Sequence, residues 1–95
     1  MDTQKLIYFI AAVKHLNFTK AANECHIAQT AMSRYISSLE RELGFQLFYR
    51  DNRNVSLTAA GESFYQEAVL LIEGLERAAA QARLIANGYE GVLRI

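Results

Sequence analysis

The 95-residue sequence contains no proline, only five glycines and a single cysteine. An average chain of this length would carry about five prolines. Because proline and glycine are the main breakers of helices, their scarcity predicts a mainly helical chain. One cysteine excludes an internal disulfide framework and a four-cysteine zinc site. We therefore expect neither a metal nor a cofactor.

Net charge and long apolar runs are lacking as well. Ten Lys and Arg residues balance ten Asp and Glu residues, so the strongly basic composition of many nucleic-acid-binding domains is absent. No apolar run approaches the roughly 18 residues of a membrane span, and the chain does not begin like a signal peptide. We expect a cytoplasmic protein that does not contact a membrane.

Signals for two helices occupy the first quarter of the chain. Asp2 is a good N-cap, and the apolar spacing after it predicts a helix that runs to about Leu16. Thr19 is the predicted N-cap of a short second helix over Lys20–Cys25. The small residues Ala21 and Ala22 on that helix allow another helix to approach closely.

A third helix, predicted from Gln29 to Leu43 and ended by Gly44, has two contrasting faces. Its apolar stripe consists of Met32, Ile36, Leu39 and Leu43. At 100° per residue, the opposite side carries Thr30, Arg34, Ser37 and Arg41, with Ser33 beside them. No carboxylate occurs from Gln29 to Leu39. Such a face suits phosphates and base edges, and an ordinary solvated surface is the alternative interpretation.

After Gly44 the pattern changes from helical to alternating. Strands are predicted at Leu47–Tyr49 and Val55–Leu57, with a polar turn between them that carries Arg50 and Arg53. Two helices joined by a short turn and followed by a hairpin indicate a winged helix-turn-helix. Residues 14–58 hold six basic and four acidic residues, whereas residues 59–95 hold three and five. The charge distribution therefore favours DNA binding by the first of these two parts.

A long helix is predicted from the N-cap Thr58 to about Asn87, where Gly88 ends it. Apolar residues recur on it at alternating spacings of four and three, which is typical of a coiled-coil seam. This predicted dimer interface consists of Phe64, Ala68, Leu71, Leu75, Ala78, Ala82 and Ile85. A second stripe, formed by Tyr65, Val69, Ile72 and Ala79, is able to pack on the rest of the domain. The alternative to self-association is a helix buried entirely in its own protomer.

The predicted organisation is mainly α. It comprises a winged helix-turn-helix of three helices and a β-hairpin over residues 1–58, then a linker and dimerisation helix over residues 59–87. Residues 88–95 are expected to form a hinge and the start of a further domain, because Val92–Ile95 reads as the beginning of a strand.

Several motifs in this order resemble the N-terminal domain of LysR-type transcriptional regulators, over essentially the whole chain. The matching segments are Phe18–Ala22, Gln29 with Ser33 and Arg34, Leu39–Gly44, Leu47–Phe48, Arg50 and Leu57–Gly61. The resemblance implies a bacterial regulator that binds an interrupted palindrome of double-stranded DNA as a homodimer. It also implies a tetramer in the full-length protein and a small-molecule effector bound by a C-terminal domain beyond Ile95.

The resemblance further implies which residues contact DNA. Gln29, Thr30 and Arg34 are expected at base edges, and Arg53 in the minor groove. The full predicted DNA-binding set is Thr19, Lys20, Gln29, Thr30, Ser33, Arg34, Tyr35, Ser37, Ser38, Arg50 and Arg53. For Arg50, a contact with the DNA backbone and an ion pair with an acidic neighbour are both open. Tyr35 stands where glutamine is frequent, and either contacts DNA or packs at the edge of the core.

Two other classes of function are weaker alternatives. An enzyme would have to use His15, Cys25 or His26, but these residues fit no catalytic or metal-ligand motif. Cys25 is better explained as a small packed residue than as a redox switch. A protein-interaction module would lack the salt-dependent affinity for duplex DNA that we expect of this chain.

Overall fold

The computed structural model describes residues 1–51 and 54–88. Its elements are α1 (Thr3–His15), α2 (Phe18–Glu24), α3 (Gln29–Leu43), β1 (Phe48–Arg50), β2 (Val55–Leu57) and α4 (Ala59–Ala86). The two strands form an antiparallel hairpin in which Phe48 lies opposite Leu57 and Arg50 lies opposite Val55. The predicted fold class, a mainly helical winged helix-turn-helix followed by a long helix, is confirmed. The predicted strand at Val92–Ile95 and the wing residue Arg53 lie outside the described residues.

Side-chain caps fix the starts of three helices. Asp2 accepts a hydrogen bond from the backbone N–H of Lys5 at 2.9 Å, as predicted. The cap of α2 is Asn17, whose side chain accepts from the N–H of Lys20 at 2.9 Å. The prediction of Thr19 as this cap was therefore wrong, and Thr19 lies exposed in the first turn of α2. Asn17 has the extended backbone that a cap requires, and asparagine caps at least as well as threonine.

Phe9 of α1 lies at the centre of the core. Its ring centroid is 5.7 Å from that of Phe48 in the hairpin and 5.5 Å from that of Phe64 in α4. Ala68, one turn further along α4, is only 3% exposed. The first half of α4 thus belongs to the same core as α1, α2 and α3. The assignment of Ala68 to the dimer interface is corrected, because its side chain is buried within its own protomer. Phe64 is only partly buried, and its place in the interface stays a prediction.

The second half of α4 projects from this core. Leu71, Leu75 and Ile85 are 62%, 52% and 50% exposed, whereas Tyr65 and Ile72 pack against the core. The radius of gyration is 16.9 Å, compared with about 12 Å for a compact domain of 95 residues. The alternative of a helix buried in its own protomer therefore holds only for the first half of α4. The second stripe packs on the domain at Tyr65 and Ile72, as expected.

The start of α4 is fixed to the connection between α3 and β1. The backbone N–H of Thr58 donates to the carbonyl oxygen of Leu47 at 2.9 Å, and the Thr58 hydroxyl donates to that of Gln46 at 2.8 Å. The Thr58 hydroxyl oxygen also accepts from the N–H of Gly61 at 2.8 Å. A Cβ atom on Gly61 would lie 2.2 Å from the Leu47 carbonyl oxygen, so only glycine allows this approach.

Within the described part of the chain, none of the helices combines the length and the apolar character needed to cross a membrane.

Candidate nucleic-acid interface

The polar face of α3 lies on the surface of the domain. Met32, Ile36 and Leu39 are fully buried against α1 and α2, which turns the opposite side of the helix outward. On that side, Thr30, Arg34 and Arg41 are exposed, while Ser33 and Ser37 are half-buried. The solvent-facing side of α3 thus carries hydroxyl and guanidinium groups and has no carboxylate between residues 29 and 39.

The first turn of α3 carries its own side-chain contact. Gln29 Nε2 donates to the hydroxyl oxygen of Ser33 at 3.0 Å, which holds the two predicted DNA-contacting side chains together. Ala28, at the N-cap position, provides no side-chain cap. The N–H groups of the first turn are therefore available to an external acceptor.

One flank of α3 faces α2 and the hairpin across a cleft of about 380 Å³. The predicted DNA-contacting residues Thr19, Gln29, Ser33, Ser37 and Arg50 all line it. Lys20 is exposed in the first turn of α2 beside Thr19. The structure thus brings residues from three separate segments to one surface.

Arg50 is held by an acidic neighbour, and that neighbour is Glu40. Arg50 Nη2 lies 2.9 Å from Glu40 Oε1, and its guanidinium carbon lies 5.3 Å from the centroid of the Phe18 ring. Glu40 is buried, and its Oε2 accepts from the backbone N–H groups of Leu47 and Phe48 at 2.8 and 3.3 Å. This carboxylate therefore ties the hairpin to the last turn of α3.

A Glu40→Ala variant is expected to lose about 2–4 kcal/mol of unfolding free energy, because two buried N–H groups and a cation lose their partner. Glu40→Gln retains one acceptor oxygen and is expected to lose roughly half as much. Urea unfolding measures both. Glu67→Ala, at an exposed position of α4, is the control and should stay within about 0.5 kcal/mol of the parent. Equal losses in Glu40→Ala and Glu67→Ala would contradict this role.

The other flank of α3 faces α1. Lys5 Nζ donates to the Ser38 hydroxyl oxygen at 3.0 Å and also pairs with Glu42. Glu42 pairs in addition with the amino group of Met1, and these hydrogen bonds, that of Lys5 first, lower the pKa of Glu42. Lys5 was not among the predicted site residues. Its partners Ser38 and Glu42 lie 33 and 37 residues further along the chain, so no local pattern signals these contacts.

Tyr35 packs at the edge of the core rather than projecting from it. Its ring centroid lies 4.8 Å from that of Tyr8, with the two planes tilted by 54°. The Tyr8 hydroxyl accepts from Gln4 Nε2 at 2.9 Å, which fixes this pair further. The structure thus shows Tyr35 packed and half-buried, while its contact with DNA stays a prediction.

The cysteine and histidine residues form no site in the described ranges. Burial, and secondarily the charge of Glu24, raise the pKa of the half-buried Cys25 thiol, which keeps it in its less reactive protonated form. His26 lies in the turn between α2 and α3 with φ of 60°, and His15 Nε2 lies 2.7 Å from Glu24 Oε1. Residues 1–51 and 54–88 contain no group of three His, Cys, Asp or Glu side chains able to hold a metal ion.

A comparison with known protein families matches residues 3–62 to the bacterial regulatory helix-turn-helix proteins of the LysR family. This match covers α1, α2, α3, the hairpin and the start of α4. The chain belongs to the LysR family. The resemblance noted from its sequence motifs is thereby confirmed.

Individual LysR-family members agree with this assignment. The chain is 45% identical over 87 residues to the hca operon transcriptional activator HcaR of Escherichia coli, which covers 92% of the chain and 29% of HcaR. It is 41% identical over all 95 residues to the transcriptional regulator BenM of Acinetobacter baylyi, 31% of which is covered. The chain thus spans about a third of the length of these two relatives.

The structure also agrees with solved LysR-family structures. This chain superposes on the DNA-binding domain (DBD) of BenM, solved in complex with benA site 1 DNA, with a TM-score of 0.88 at 42% identity. The superposition covers 93% of this chain and 99% of that one. The CbnR DBD in its DNA complex gives a TM-score of 0.87 at 35% identity, over 90% and 99% of the two chains. The winged helix-turn-helix followed by a long helix is therefore the architecture of this LysR-family chain.

Proposed function

We propose that this chain is the sequence-specific DNA-binding part of a LysR-type transcriptional regulator. It binds an interrupted palindrome of double-stranded DNA as a homodimer, with α3 in the major groove and the hairpin as a wing in the flanking minor groove. The observation that carries this proposal is the exposed, carboxylate-free face of α3 over residues 29–39. A helix fits the major groove, and its side chains there reach base edges that differ among all four base pairs.

The residues of this face divide into base readers and backbone contacts. Arg34 is exposed, and its planar guanidinium suits two parallel hydrogen bonds to one guanine. Gln29 and Thr30, in the first turn of α3, are the other proposed base readers. The proposed backbone contacts are Thr19, Lys20, Ser33, Ser37 and Ser38. Arg50 is occupied by Glu40 and serves mainly to hold the wing, while Arg53 is proposed at the minor groove.

The projecting half of α4 supports the dimer. Its five exposed seam residues repeat at the 3.5-residue spacing of a coiled coil: Leu71, Leu75, Ala78, Ala82 and Ile85. A second copy of this chain, lying antiparallel, covers that stripe. The winged part is then residues 1–58 together with the first half of α4. The regulator is proposed to be a cytoplasmic, non-enzymatic protein that forms a tetramer and takes its small-molecule effector through its C-terminal domain.

Selection of bound sites from random duplexes, followed by titration of the recovered duplex, tests the DNA-binding proposal. The recovered sites should form an interrupted palindrome, and affinity should fall steeply with salt. Failure to bind any duplex would contradict the proposal and leave a protein-interaction module.

An Arg34→Ala variant is expected to lose about 1–3 kcal/mol of binding free energy on the selected duplex and to lose preference at one base pair of each half-site. Titrations of the selected duplex and of single-base variants measure this. Arg77→Ala, which removes an exposed arginine from α4, is the control and should keep the base preference. An equal loss on every sequence would make Arg34 a phosphate contact instead.

A further inference from the structure

A second cleft, of about 360 Å³, lies between α1 and α3. Its lining residues are Lys5, Ala31, Arg34, Tyr35, Ser38 and Arg41. Ser38 follows Gln29 by nine residues, which is half a turn around α3, and Gln29 lines the cleft on the hairpin side. The two clefts therefore flank α3 on opposite sides of its outward face.

The cleft between α1 and α3 is rich in positive charge. Arg34 and Arg41 are exposed, and neither forms a salt bridge with any residue in 1–51 or 54–88. Lys5 pairs with Glu42, which is shared with the amino group of Met1. One carboxylate therefore faces several cations, and the rim keeps a positive excess.

The walls of the cleft are fixed in a way that suits an anion. The Ser38 hydroxyl oxygen accepts from Lys5 Nζ at 3.0 Å, so its own O–H remains available to donate. The contact between Tyr35 and Tyr8 holds the aromatic side of the cleft. Ala31 lines the cleft beside Arg34 and Tyr35 and takes up little of its volume, because its side chain is a single methyl group. An anion in the cleft is thus offered the Ser38 hydroxyl and two cationic donors, Lys5 and Arg41, in addition to the base reader Arg34.

This inference rests on the proposed function. The major groove is about 12 Å wide, close to the diameter of a helix with its side chains, so the two DNA strands that border the groove run along the two flanks of α3. We propose that the cleft of Lys5, Ser38 and Arg41 binds a phosphodiester of the strand that runs on the side of α3 away from the wing. Phosphate contacts on both strands then fix the rotation of α3 in the groove, which aims Arg34 at its base.

The test compares Lys5→Gln with Lys14→Gln in the full 95-residue chain, on the selected duplex and on a random one. Lys14 is an exposed lysine of α1 that lies nine residues from the half-buried Lys5 and hence on the opposite face of that helix. Lys5→Gln is expected to weaken binding to both duplexes, because the phosphodiester is present in each. It should also reduce the slope of log affinity against log salt by about 0.9 for each protomer, as loss of one phosphate contact predicts.

The control variant Lys14→Gln should leave that slope unchanged. Equal slopes in the two variants would overturn the proposal, as would a loss in Lys5→Gln confined to the selected duplex. If the parent chain binds no duplex at all, the proposed function fails, whereas DNA binding with an unchanged Lys5→Gln slope removes only the phosphate cleft.

A Glu42→Gln variant guards against a loss caused by poor folding. It removes the carboxylate that competes for Lys5 but keeps every cation of the cleft, so affinity for both duplexes should rise and the salt slope should steepen. Misfolding would lower affinity instead.

A duplex in which the contacted phosphodiester is replaced by one neutral methylphosphonate tests the contact from the DNA side. The parent chain should bind this duplex more weakly than the unmodified one, whereas Lys5→Gln should bind both equally. Competition by millimolar inorganic phosphate at constant ionic strength would assign the cleft to a free anion and overturn the proposal.

Discussion

A Gly61→Ala variant is expected to lose about 3 kcal/mol or more of unfolding free energy, the upper end of the cost of overpacking a core. The added Cβ would lie 2.2 Å from the Leu47 carbonyl oxygen and 2.9 Å from Leu57 Cδ1. The carbonyl belongs to the backbone and cannot turn aside as a side chain can. Relief requires α4 to move away, which breaks the contacts of Thr58 with Gln46 and Leu47. Thermal unfolding should show a midpoint roughly 15 °C lower, as this loss implies for a small domain.

Gly74→Ala is the matched control, because it makes the same change in the same helix. A Cβ at position 74 would meet only the Nη2 atom of Arg77, at 3.8 Å. Since alanine favours a helix more than glycine does, this variant should gain about 0.5–1 kcal/mol. A Gly61→Ala domain as stable as the parent would show that α4 does not approach Leu47 as closely as described.

Leu75→Glu is expected to convert the proposed dimer into a monomer. Leu75 is 52% exposed in the protomer and lies at the centre of the proposed seam, where two copies would each have to bury a carboxylate. Sedimentation velocity measures the change in mass. Because the two half-sites would then be bound independently, affinity for the selected palindrome should fall by about 10²–10⁴-fold.

Leu84→Glu separates loss of the seam from a general effect of charge on α4. Leu84 has a similar exposure of 50% but follows Leu75 by nine residues, half a turn around the helix. The Leu84→Glu variant should therefore remain a dimer and keep nearly the DNA affinity of the parent chain. Two dimeric variants would remove Leu75 from the interface, and two monomeric ones would show a general effect of charge on α4 and contradict a specific seam.

The sequence was sufficient to predict α3, the hairpin and α4, because each is encoded locally. The apolar stripe of α3 and the caps at Thr58 and Gly44 lie within a few residues of what they determine. The start of α2 was misplaced for a related reason. Asn17 and Thr19 are both capping residue types two positions apart, and the choice between them depends on the backbone that enters the helix.

The dimer seam could be predicted only in part. A heptad spacing shows that a stripe is apolar, but it does not show whether the stripe is covered by the same chain or by another copy. Phe64 and Ala68 pack against the core of the protomer, whereas Leu71 and Leu75 are exposed although Ile72, which lies between them in sequence, still packs against that core.

The contacts of Glu40 and Lys5 were not predictable from local patterns. Glu40 is one of two acidic residues in the last turn of α3, yet its partner Arg50 is ten residues away and its other partners are backbone N–H groups. Lys5 meets Ser38 and Glu42 only because α1 packs beside α3. No spacing rule within one helix connects such pairs.

The contacts at Leu47 fix the start of α4 rigidly to the winged helix-turn-helix. The same helix that is capped against the hairpin by Thr58 runs 28 residues to Ala86, or about 42 Å at 1.5 Å for each residue. Because α4 is one uninterrupted helix, a rotation at one end is transmitted to the other end. In the proposed dimer the two helices cross near Ala78, about 30 Å from Thr58. A change of about 10° in the crossing angle turns each helix by about 5° and moves its hairpin by about 3 Å, close to the rise of one base pair. The spacing between half-sites that the proposed dimer accepts would thus be set by packing far from the DNA.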